Sequence, residues 1–177
     1  MKSPHVMVLG VGNILFSDEG VGVRVAHEIM DRYELPENVS VVDGGVLGIN
    51  LLGTISSADH LIVVDAVRND AEPGTLHRLA GEEIPARVLR KNSLHQVDLL
   101  ESLTLCQALD KQPRTVIVGV EPYDIRTLCV ELTEVTENRV EDLIGMVLDE
   151  LDQLGIQCTA KGMTDNVPRS AGQNNQN

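Results

Sequence analysis

The stretch His5-Val-Met-Val-Leu-Gly-Val-Gly-Asn-Ile-Leu-Phe-Ser-Asp-Glu-Gly20 decides the fold. It starts with a short apolar run, His5 to Leu9, and turns at Gly10-Val11-Gly12, which reads as a buried strand ending in a tight turn. Ser17 then stands as a candidate N-cap, and Val21, Val25, Ile29 and Met30 recur at helical spacing toward Tyr33. A strand that feeds a helix through a glycine turn is the opening unit of an α/β fold.

The rest of the chain repeats that alternation. Val39 to Val42 reads as a second strand, stopped by Asp43-Gly44-Gly45, and Leu47 to Ile55 as a short helix. Leu61 to Val64 is continuously apolar, as a central parallel strand is. Thr75 to Leu79 alternates after the Pro73-Gly74 turn and reads as an edge strand. Ser93 and Gln96 form a capping box opening a helix through Leu99, Leu100, Leu103 and Cys106. Val116 to Val120 is a further buried strand, and Thr136 to Leu154 a last helix with Leu143, Ile144, Val147 and Leu151 on one stripe. These elements predict an α/β, single-domain, three-layer sandwich, its twisted and mostly parallel sheet of about five strands flanked by helices. Residues 1–160 form the domain, and the polar segment 161–177 is expected to be a disordered tail.

Composition narrows the function. The 177 residues include only 2% aromatics and no Trp, so Val, Leu and Ile must fill the core. A formal charge of −13 repels phosphate backbones and anionic lipid, which argues against nucleic acid and membrane surfaces as partners. Cys106, Cys129 and Cys158 are odd in number and widely spaced, so neither a disulfide framework nor a thiolate zinc site is indicated. No apolar run approaches the roughly 18–20 residues needed to span a bilayer. With no signal-peptide pattern at the start, a cytoplasmic location is expected.

In such sheets chemistry gathers beyond the carboxyl ends of the strands. Glu19, Asp43 and Asp65 each follow a different predicted strand at that edge, and His95 opens a predicted helix. A carboxylate in a helix's first turn gains roughly 0.3–1 kcal/mol from the macrodipole, so Glu19 has a purely structural explanation too. Asp65 could pair with Arg68, and Glu19 with Arg24. Together the residues say more. Glu19 and Asp65 held about 5 Å apart would repel by roughly 3 kcal/mol at an effective dielectric of 20, which a cation would offset. At a helix N-terminus His95 is kept neutral, the form that binds metal. Two oxygens and one nitrogen suit a borderline divalent ion that also accepts external ligands. Gly44 and Gly45 would let a substrate backbone approach closely. A dinucleotide reading of Gly10-x-Gly12 fails on the missing third glycine, since position 15 is Leu, and on the acids at the helix start.

These stretches, taken in order, resemble the nickel–iron hydrogenase maturation proteases. The shared features are Gly10-Val-Gly-Asn13, Asp18-Glu-Gly-Val-Gly-Val-Arg24, Asp43-Gly44-Gly45, the strand ending in Asp65, and Ser93-Leu-His-Gln96. The resemblance implies an endopeptidase of aspartic-type grouping that trims a C-terminal extension from the precursor of the hydrogenase large subunit. It places metal binding on Glu19, Asp65 and His95, catalysis among Glu19, Asp65 and Asp43, and substrate contacts at Asn13, Gly44 and Gly45. Nickel would arrive with the precursor rather than reside in the enzyme. Two other readings are a nickel-binding chaperone that does not cleave and an enzyme like the peptidyl-tRNA hydrolases. The negative charge opposes the second.

Overall fold

The computed structural model describes residues 3–46, 52–81, 83–84 and 94–162. Strand β1 (Val6–Val11) runs through a 3-10 turn (Ser17–Gly20) into helix α1 (Val21–Arg32). Then come β2 (Tyr33–Glu34), β3 (Val39–Gly45), α2 (Leu52–Ile55), β4 (His60–Ala66) and β5 (Leu76–Ala80). Helix α3 (Leu94–Ala108), β6 (Arg114–Val120), α4 (Glu134–Glu137), α5 (Val140–Gln153) and β7 (Thr159–Ala160) complete the order. The main sheet is β3-β1-β4-β6-β5, parallel except for β5, which lies antiparallel to β6 at the edge. The expected sandwich and its edge strand are both present.

Alternation along the strands builds two cores. Val6 and Val8 of β1, Ile62 and Val64 of β4, and Val118 and Val120 of β6 pack with the apolar stripes of α1 and α5. Met7 and Leu9, Leu61 and Val63, and Ile117 face the other way, with Ile55 of α2 and Leu99, Leu103 and Cys106 of α3. Gly22 lets α1 lie directly on the sheet: a Cβ there would fall 2.1 Å from the Val64 carbonyl oxygen and 2.4 Å from that of Val11.

Three expectations are revised. Ser17 does not cap α1, whose N-cap is Gly20; its hydroxyl instead donates to the Glu131 carbonyl at 3.0 Å. Asp43-Gly44-Gly45 does not stop β3 but belongs to it, with the register slipping between Gly10 and Val11 of β1. The last helix is interrupted at Asn138 and Arg139, dividing α4 from α5. Arg24 donates to the Val130 carbonyl at 3.2 Å.

Of the predicted 47–55 helix only Leu52–Ile55 lies within the described residues, and Ser93 of the capping box lies outside them. At the other end, Lys161 donates through its N–H to the Arg32 carbonyl and through Nζ to that of Met30. The packed chain therefore reaches past position 160, and residues 163–177 lie outside the description.

Candidate active site at the carboxyl edge of the sheet

The turn after β1 carries the first acids. Gly12 has φ +133°, and a Cβ there would lie 1.7 Å from the Glu19 carbonyl oxygen, so only glycine lets the 3-10 turn fold back over the strand end. Within that turn Asp18 and Glu19 diverge. Asp18 is 0% exposed. Its Oδ2 accepts the N–H of Tyr123 and of Asp124 and the Thr133 hydroxyl, each at 2.9 Å, and its Oδ1 accepts the Thr133 N–H at 2.8 Å. Glu19 is half-buried, in a turn that packs against β4.

Asp65, 5% exposed, sits at the carboxyl end of β4, one residue before its last, and accepts the Ala66 N–H at 2.8 Å. By the pleat it shares the face of Leu61 and Val63, the side covered by α3. Its partner on β6 is Gly119, where a Cβ would meet the Asp65 carbonyl oxygen at 2.5 Å. His95 is the second residue of α3, on that same side of the sheet; its side chain lies outside the described residues. Fold topology thus brings Glu19, Asp65 and the start of α3 to one edge. Among the described residues no three His, Cys, Asp or Glu side chains form a metal-holding group.

Asp43 stands apart. It shares the face of Val39 and Val41, the α1 side, and its Oδ2 lies 2.8 Å from Nε2 of His27. Its Oδ1 accepts the Gly45 N–H at 2.9 Å, which shapes the loop. Gly45 adopts φ +48° and its carbonyl accepts the Gly12 N–H, so the two glycine turns are tied together. Gly44 packs on β1, where a Cβ would meet Leu9 Cδ1 at 2.8 Å. Asn13 accepts the Leu15 N–H through Oδ1 at 3.0 Å, holding the first turn.

Three features of this edge escape the sequence reading. One is the burial of Asp18. Another is His27, whose partner lies on a separate strand. The third is a buried pair, His77 Nε2 and Glu121 Oε2 at 3.0 Å, with the Asn69 N–H donating to the same oxygen at 2.7 Å. A signal for it existed: Glu121 follows β6 as closely as Asp65 closes β4. Nearby, the Thr127 hydroxyl and the N–H groups of Arg126 and Thr127 hold the Asp124 carboxyl below the usual carboxylate range.

These features describe an α/β protein with acids gathered at the carboxyl edge of its sheet, the edge at which such folds place their sites. A family model described as hydrogenase maturation protease matches residues 23–150. The hydrogenase 2 maturation protease of Escherichia coli is 38% identical over 169 residues, covering 94% of this chain and 98% of that protein. The hydrogenase expression/formation protein HupD of Bradyrhizobium diazoefficiens is 35% identical, covering 86% and 80%. The solved structure of the E. coli hydrogenase maturating endopeptidase HybD superposes with a TM-score of 0.87 at 36% identity, covering 90% of this chain and 99% of that one. The chain belongs to the hydrogenase maturation protease family.

Proposed function

We infer that this chain is the endopeptidase that removes a C-terminal extension from the nickel-loaded precursor of a nickel–iron hydrogenase large subunit. The observation that carries the reading is similarity to a hydrogenase maturation protease at 38% identity, covering 94% of this chain and 98% of that protein. A non-cleaving chaperone has no comparable support.

Nickel belongs here to the substrate. The reading assigns Glu19, Asp65 and His95 to it: a half-buried carboxylate, a buried one and an imidazole, a donor set that suits a borderline divalent ion. It is supported by the joint placement of the 3-10 turn, the end of β4 and the start of α3 at one edge. These side chains would complete the ion's coordination and so fix the scissile peptide relative to the rim. Asp65, nearly buried, would be the most tightly oriented of them. Asp43, turned to His27 on the α1 side, would act on the peptide rather than on the ion. The acids of this rim underlie the aspartic-type grouping; their arrangement needs no pepsin-like dyad. A cytoplasmic location fits the three free cysteines. Among the described residues no helix is long and apolar enough to cross a membrane.

The test mixes metal-stripped enzyme with nickel-loaded or metal-free precursor and follows intact mass. Shortening of the loaded form alone is expected. Equal cleavage of both would remove nickel from recognition, and cleavage of neither would return the chaperone reading.

A further inference from the structure

Beside the acidic rim, α1, the turn before it and residues 130–132 enclose a groove of about 360 Å³. Ile14, Val23, Val130 and Leu132 make its apolar walls, and Glu28 and Glu131 stand among its polar residues. Ile14 is 52% and Val130 60% exposed, and the neighbouring Leu15 and Leu128 are also open to solvent. Apolar side chains concentrated on two adjoining loops mark a surface that meets another molecule.

We propose that this groove docks a segment of the precursor polypeptide in which a branched apolar side chain lies beside a lysine or arginine. The proposal rests on the function inferred above and extends it to a surface outside the acidic rim. Its first support is rigidity. The Cys129 N–H donates to Leu15, the Ser17 N–H to Cys129, and the Ser17 hydroxyl to Glu131. Arg24 holds the Val130 carbonyl. The walls are therefore fixed before anything binds, which reduces the ordering that binding must impose.

Continuity is the second support. One end of the groove is formed by Ser17 and Gly20, either side of Glu19, and another lining residue is His27, the partner of Asp43. A chain lying in it passes directly to the rim. Charge is the third. With Arg24 bonded to Val130 and Glu131 on the exposed strap, a cationic neighbour to the apolar anchor is favoured. The same argument disfavours a second copy of this chain, since two bodies of −13 repel.

The test uses the full chain and nickel-loaded precursor. Val130→Asp should lower kcat/KM by about tenfold, with the loss in KM, because it removes binding shared by ground and transition states. Glu131→Gln should lower it by about threefold and flatten its salt dependence. Leu109→Asp, at an exposed position beyond α3, is the control and should match wild type. Melting temperatures establish that each variant is folded, and Glu131→Gln, which leaves the apolar wall intact, carries the test if Val130→Asp is not. A kcat/KM within about twofold of wild type in the folded variants overturns the proposal. So does a wild-type dimer in sedimentation that Val130→Asp splits into monomers. Calorimetric titration with precursor separates the two readings. Uncut precursor that binds wild type but not Val130→Asp would sink the protease and keep the groove; cleavage indifferent to both variants would do the reverse.

Discussion

Asp18 and Glu19 are adjacent in sequence, in one 3-10 turn, yet one is enclosed by the 123–133 loop and the other remains half-open at the rim. Three residues per turn swing successive side chains by about 120°, so neighbours cannot share an environment. Asp18 receives four hydrogen bonds, from groups 105 to 115 positions away, and staples that loop to the helix start. The lesson is that a carboxylate with both oxygens engaged by a distant loop acts as scaffold, while its half-buried sequence neighbour stands at the rim. A second contrast, of face rather than burial, runs across the sheet: Asp65 lies on the α3 side and Asp43 on the α1 side.

The sharpest way to break this division is Asp18→Ala. It removes the acceptor shared by the part-buried N–H groups of Tyr123, Asp124 and Thr133, and should destabilise the fold by about 3 kcal/mol. The melting temperature should drop on the order of 10 °C. Asp18→Asn, which retains one carbonyl acceptor, should lose roughly half as much. A fully stable alanine variant would mean the loop is held elsewhere.

Next in size, Glu19→Gln or Asp65→Asn should slow precursor processing on the order of 10²-fold or more while melting far closer to wild type than Asp18→Ala. Asp43→Asn, on the opposite face, should slow it by less than about tenfold. Its exposed pair with His27 contributes no more than about 1 kcal/mol to stability. Intact-mass kinetics and thermal melts on the same samples decide. Equal losses for Asp43 and Asp65 would erase the distinction between the faces.

The smallest effect is a pH dependence of the stapled loop. Because the folded state depresses the Asp124 carboxyl, its contribution is present above the unfolded pKa and is lost as pH falls through the lower folded value. Amide exchange in residues 123–133 should therefore show extra opening, beyond the intrinsic pH trend, as pH drops below the ordinary carboxylate range. Asp124→Asn should abolish that excess; identical profiles for variant and wild type would show that Asp124 does not govern the loop.

Sheet, helices and edge strand were legible in the sequence because each rests on local periodicity: Val6 to Leu9 and Leu61 to Val64 can be buried only as central strands, and the stripe from Val140 to Leu151 only as a helix face. That Glu19 and Asp65 belong to one edge also followed, since strand ends are fixed by topology. What the sequence could not decide was orientation. Ser17 reads as a cap on local chemistry, yet its hydroxyl goes to Glu131, brought close only by the fold. The glycines of the first turn read as a weak nucleotide signal, whereas Gly12 and Gly22 serve the close passage of the turn and α1 over the strands. His27 finds Asp43 across a helix–strand contact, and Asp18 finds Thr133 from the far end of the chain. Periodicity is a property of neighbours and can be read in line; which of two adjacent acids is enclosed depends on hydrogen-bond donors more than a hundred residues away, so only the tertiary structure decides it.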